Sequence, residues 1–193
     1  MSGVVLASRS PQRLTLLRGL GLEVEVVDPD LAEQTEGDPV ELVRSNAVSK
    51  ALAVKSRSDA LATPVVAGDT EVVLDDRALG QPSDASDARR MLFALSGREH
   101  LVVGAICILM PGEDSPRAGV EQTMVRFREL TDDLVDACIA GEEWVGRAGG
   151  YAVQGTGSGL VERIEGDLSN VIGLPLGLLA RLAPELLRST RQN

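Results

Sequence analysis

Serines and an arginine placed where a strand runs into a helix can grip phosphate. Residues Ser8-Arg9-Ser10-Pro11-Gln12-Arg13 follow the short apolar run Val4-Val5-Leu6-Ala7. Ser10 suits a helix cap and Pro11 the first helical position. The free N–H groups of such a helix start face one point, backed by the positive end of the helix dipole. Ser8 and Ser10 add hydroxyls, and Arg13 adds a forked guanidinium. Taken alone, these residues fit a plain cap beside a surface arginine more readily than an anion site.

Three further sets carry chemistry. Glu33 lies in the acidic stretch from Asp28 to Gly37, and Asp69 in Ala67-Gly68-Asp69-Thr70 directly after an apolar run. Carboxylates where strands open into a crevice suit a divalent metal or a base. Lys50 follows on a helix, where most lysines are solvated. The glycine-rich stretch from Gly146 to Gly159 carries Arg147 and Gln154. Glycine lets backbone approach a flat ligand, and the Gln154 amide can both donate and accept at a base edge. A turn carboxylate, a solvated loop charge and a surface loop are the plain alternatives. Together the four sets hold what phosphoryl chemistry requires: donors and cations for phosphate, acids for a metal, and a base.

The elements that must position these groups are short and interspersed. After the first strand and helix, Glu23 to Val27 alternates as a strand. Asp38-Pro39-Val40-Glu41 has capping-box spacing and starts a helix to about Lys55. Pro64 to Ala67 and Glu71 to Leu74 are predicted extended, and Asp84 to Leu95 helical. His100 to Met110 and Glu121 to Phe127 form a predicted hairpin, Thr131 caps a helix ending near Gly141, and Leu160 to Ile164 is a strand. Leu174 to Leu187 is predicted as one last helix, followed by a loose polar tail. This order implies the α/β class with a mixed sheet, residues 1–193 forming a single domain.

Composition narrows the ligand. The chain has 193 residues, 44% hydrophobic, with a formal net charge of -10. That charge repels long polyanions, and four aromatics (Phe93, Phe127, Trp144, Tyr151) make no base-stacking platform, so nucleic acid is not expected as a partner. A small anion held by local cations or a metal stays compatible. Cys107 and Cys138 read as buried thiols, and a single histidine, His100, rules out a His-rich zinc site. No leader or membrane span is predicted, so the expected location is cytoplasmic.

From Leu6 to Leu182 the chain resembles the Maf-like nucleoside triphosphate pyrophosphatases. The resemblance rests on five segments in register: Leu6-Ala7-Ser8-Arg9-Ser10-Pro11-Gln12-Arg13; Gly68-Asp69-Thr70 with Val72-Val73-Leu74-Asp75; Ser96-Gly97-Arg98 with His100; Ala148-Gly149-Gly150-Tyr151-Ala152-Val153-Gln154-Gly155; and Val161-Glu162-Arg163-Ile164-Glu165-Gly166-Asp167 through Ser169-Asn170-Val171 to Gly173-Leu174-Pro175. It implies an elongated mixed sheet flanked by helices, with two lobes around a cleft (Maf/ITPase-like), and a homodimer. It implies hydrolysis of a (d)NTP to (d)NMP and pyrophosphate, as house-cleaning of nucleotide pools. The substrate would be a pyrimidine nucleotide such as dTTP or UTP, or a modified nucleotide. Asp69, Glu33 and Lys50 would be catalytic, with Mg²⁺ or Mn²⁺ on Glu33 and Asp69. Ser8, Arg13, Thr70, Gln81, Arg147 and Gln154 would bind substrate, and Lys50 would also contact phosphate.

The chain departs from the family pattern at several positions. Gln81 and Arg147 stand where lysine is usual, Gln12 where the dTTP/UTP subgroup has arginine, Gly68 for alanine and Glu71 for valine. Thr70 agrees with that subgroup. The neutral Gln81 motivates an alternative: a nucleotide-binding regulator of cell division with little turnover. The P-loop and dinucleotide glycine patterns are absent.

Overall fold

The computed structural model describes residues 3–57 and 62–188; the polar tail beyond Arg188 lies outside the described residues. The strands are β1 (Gly3–Ala7), β2 (Glu23–Val27), β3 (Val65–Leu74), β4 (Arg77–Ala78), β5 (Glu99–Leu109), β6 (Arg117–Phe127) and β7 (Val161–Glu165). They form one mixed sheet in the order β2-β1-β3-β5-β6-β7, with β4 on β3. The helices are α1 (Pro11–Gly19), α2 (Pro39–Arg57), α3 (Ala85–Leu95), α4 (Asp132–Ala140), α5 (Leu168–Ile172), α6 (Leu176–Leu182) and α7 (Pro184–Arg188).

Three long strands run through both lobes. One half of the sheet is covered on two faces. Alternate residues Val5, Ala7, Val65, Ala67, Ala105 and Cys107 meet Val43, Ala47, Ala51 and Val54 of α2. Their neighbours Val4, Leu6, Val66, Ile106 and Ile108 meet Leu17 of α1 and Leu178 and Leu179 of α6. The other half has its own core of Val72, Leu74, Leu92, Leu95, Val102, Val125, Phe127 and Leu160.

The two halves leave a gap at one sheet edge, and this gap positions the site. β1 pairs with β3 through Val65, Val66 and Ala67. β4 pairs again from Val73, with Leu79 N–H bonded to Val72 O at 2.8 Å. Between them, Gly68 to Glu71 present an edge that no strand covers. Side chains there alternate between the two sheet faces. Groups from α1 on one face and from α2 on the other can therefore meet around the same stretch of backbone.

Several sequence expectations are corrected. The last helix is two helices, α6 and α7, because Pro184 has no N–H to continue the first and instead opens the second. A short helix, α5, capped by Asp167, was not expected. The second hairpin strand begins at Arg117, earlier than Glu121. The two predicted extended segments join in one continuous strand, β3, which begins at Val65 rather than Pro64. The glycine stretch holds two short 3-10 turns, Ala148–Gly150 and Gly155–Gly159. Gly149 has φ 68°, and a Cβ there would come 2.9 Å from Val72 Cβ, so glycine lets this turn lie directly on β3.

Candidate active site

All nine sequence-predicted site residues line one cleft of about 480 Å³: Ser8, Arg13, Glu33, Lys50, Asp69, Thr70, Gln81, Arg147 and Gln154. It lies along the uncovered edge of β3, and its two banks have different chemistry.

On the α2 bank, Asp69 and Lys50 are buried. Lys50 Nζ lies 2.7 Å from Asp69 Oδ1 and 2.9 Å from Glu33 Oε1. Asp69 Oδ2 accepts from Asn46 Nδ2 at 2.9 Å. Asn46 also donates to Gln34 O at 3.0 Å and accepts from Gln34 N–H at 2.9 Å, which ties the acidic loop to α2. Lys50 thus stands between two acids rather than facing solvent.

The α1 bank is built on Arg13. Its Nη1 donates to Ser8 Oγ at 3.1 Å, Nη2 to Thr70 Oγ1 at 3.2 Å, and Nε to Gly173 O at 2.8 Å. Ser10 caps α1, accepting from Arg13 N–H, and Ser10 N–H donates to Ser8 Oγ at 3.1 Å. Every hydrogen-bond partner of this guanidinium is neutral. Burial lowers its pKa, while the charges of Asp69 and Glu33 oppose that from farther off. A buried cation without a carboxylate partner is costly, and an incoming anion relieves the cost.

Toward the other lobe the lining changes character. Val72, Val102, Tyr151, Ala152, Val153 and Ile172 form an apolar wall, while Gln81 and Gln154 are exposed at its margin. Tyr151 is fixed from behind, its hydroxyl 2.8 Å from Nε2 of buried His100. Burial depresses the His100 pKa to about 4, so the ring is neutral at pH 7. The site therefore joins a cationic corner, an acidic corner and an apolar slot.

The sequence profile of the Maf-like protein family matches residues 3–186. The chain belongs to the Maf-like protein family. It is 38% identical over 191 residues to a dTTP/UTP pyrophosphatase of Dictyoglomus thermophilum, covering 95% of this chain and 98% of that one. Identity to a dTTP/UTP pyrophosphatase of Pyrococcus furiosus is 42% over 185 residues, covering 94% of each. Among solved structures, a HAM1 protein from Coxiella burnetii shares the fold at a TM-score of 0.53 and 16% identity, covering 97% of this chain and all of that one.

Three polar groups of this Maf-like chain were not among the expected site residues. Asn46 lies four residues before Lys50 on the same face of α2, and that spacing was the available signal. Glu71, two residues past Asp69 on the same face of β3, lines the cleft and accepts from Gly80 N–H at 3.2 Å. Burial, and then the charge of Asp69, push the Glu71 pKa up to about 7. Gly173 O receives both Arg13 and Thr70; the sequence marks Gly173 only as part of the last motif, with nothing to indicate that its carbonyl is used. Among the described residues no group of three His, Cys, Asp or Glu side chains has the arrangement of a ready metal site.

Proposed function

We propose that this chain hydrolyses a pyrimidine nucleoside triphosphate such as dTTP or UTP, or a modified nucleotide, to the monophosphate and pyrophosphate. The observation that carries this reading is a half-buried guanidinium with neutral partners facing two acids across one cleft. The two relatives are dTTP/UTP pyrophosphatases, which supports the same chemistry, and similarity over nearly the whole of each chain supports carrying it across.

The residues fit a divalent cation. Asp69 and Glu33 already converge on a positive charge, the Lys50 ammonium, and both offer the hard oxygen donors that Mg²⁺ or Mn²⁺ prefers. Glu33 and Asp69 would hold the ion, with phosphate oxygens completing its shell. When bound, the ion supplies neutralisation of the triphosphate charge and polarisation of water.

The chain's own groups do the rest. Arg13, with Ser8 and the start of α1, binds phosphate oxygens and stabilises the charge that develops on them. Asp69, its oxygens aimed by Lys50 and Asn46, accepts the proton of the attacking water. Attack at the α-phosphorus breaks its bond to the bridging oxygen, and pyrophosphate leaves. Lys50 holds both acids in place. Thr70, Gln81 and Arg147 contact the polyphosphate. The apolar wall seats the base and Gln154 reads its edge.

The test gives purified protein each common nucleotide with Mn²⁺ and separates the products. Pyrophosphate and monophosphate from a pyrimidine nucleotide, abolished by a chelator and restored by metal, are the expected result. Orthophosphate release contradicts the reading. Tight nucleotide binding without product instead favours a regulator that has lost turnover, for which the neutral Gln81 in the cleft is the motivation.

A further inference from the structure

Gln12 and Arg147 meet across the mouth of the cleft, both half-buried. Gln12 stands in the first turn of α1, on one bank. Arg147 comes from the far lobe, where its turn is pinned by Gly149 N–H on Gly80 O at 2.8 Å. One end of the Gln12 amide lies 2.7 and 3.1 Å from the two Nη atoms of Arg147, the other 3.0 Å from Ser10 Oγ. With oxygen toward the guanidinium and nitrogen toward Ser10, every contact joins a donor to an acceptor.

One oxygen taking an N–H from each Nη leaves the rest of the guanidinium's donors open. Among the described residues Arg147 makes no ion pair. Glu143, whose charge reaches it, directs its own oxygens to Thr156 and Gly157 N–H, both at 3.0 Å. Arg147 is thus oriented without being neutralised. In this chain the neutral Gln12 oxygen accepts from both Nη atoms and so holds Arg147 without cancelling its charge, as a carboxylate there would.

We propose that Gln12 is a positioning residue that holds Arg147 across the cleft mouth, set to bind substrate phosphate. The proposal rests on the reading of this cleft as a triphosphate site, and the experiment separates the two. Gln12→Ala, Arg147→Ala and the double variant are compared with wild type. The readouts are calorimetric binding of the non-hydrolysable analogue α,β-methylene-dTTP, steady-state hydrolysis of dTTP, and thermal melting.

Each single change is expected to raise Kd and KM about tenfold, the worth of one charge-assisted hydrogen bond, with kcat within about twofold. The double variant should be no worse than Arg147→Ala, since Gln12 acts through Arg147. Gln12→Glu serves as a second variant: an ion pair should weaken binding without lowering the melting temperature. Unchanged Kd in Gln12→Ala, or losses that multiply to about a hundredfold in the double variant, would overturn the proposal. Wild type that binds the analogue but releases no pyrophosphate overturns the reaction and leaves the Gln12–Arg147 contact standing. Normal turnover with multiplying losses overturns that contact alone, and a wild type that binds no analogue overturns both.

Discussion

The two banks of the cleft handle charge in opposite ways. On the α2 bank a buried lysine is matched by two acids, and one of those acids is further held by an asparagine. On the α1 bank a half-buried arginine has hydroxyl and carbonyl oxygens only. The first arrangement holds its acids in place and keeps one negative charge in excess, which suits a cation. The second stays short of negative charge, which is what a receptor for an anionic substrate requires. The general lesson is that the charge left unmatched on each bank indicates the charge its ligand must carry.

The sharpest way to break this contrast is at Asp69. Asp69→Asn keeps shape but loses the proton acceptor, and kcat should fall by roughly 10³-fold or more. Melting should shift by only a few degrees; retained turnover would remove Asp69 from the chemistry. Arg13→Met is next, expected to lower kcat/KM by about 10²–10³-fold. Lys50→Met tests the support instead: two acids lose their cation, and unfolding free energy should drop by about 3 kcal/mol, discounted because Glu33 remains partly solvated. Urea unfolding should show a larger stability loss for Lys50→Met than for Arg13→Met. The reverse order would mean that the banks do not differ as described.

The smallest effects lie in pH. Glu71 ionises near 4.5 unfolded but about 7 folded. As pH rises between these values the unfolded chain ionises first, so stability falls, by at most about 3 kcal/mol. His100 has the opposite sign. It protonates near 6.5 unfolded but about 4 folded, so stability falls as pH drops through that window. The two slopes oppose each other and should leave wild type nearly flat. Glu71→Gln should then show stability rising from about pH 4 to 6.5, and His100→Gln should show it falling from about pH 4.5 to 7. Urea midpoints measured across this range check both signs.

Much of the fold was legible because the periodicities are strong. The apolar run at Val4–Ala7, the caps at Ser10 and Thr131, the helix end at Leu95 and the proline at position 39 all mark real element boundaries. The error at the last helix had a visible signal: one helix was carried through Pro184, against its own chemistry. Lys50 and Asn46 were harder. Four residues apart on a helix, they share a face, but the spacing does not tell a solvated face from a buried one, and both are buried.

The sequence alone determined the residue types, the strand-to-helix joint that aims N–H groups, and the motif order that marks a Maf-like chain. Each of these is local, set by side chains within one or two turns of each other. Tertiary structure decided which charges meet. β1 stops at Ala7 and β4 begins at Arg77, so the edge of β3 between their pairings stays open. Helices on opposite faces then bring Lys50 and Arg13 around it. Such a meeting depends on where partner strands end, which no local spacing encodes.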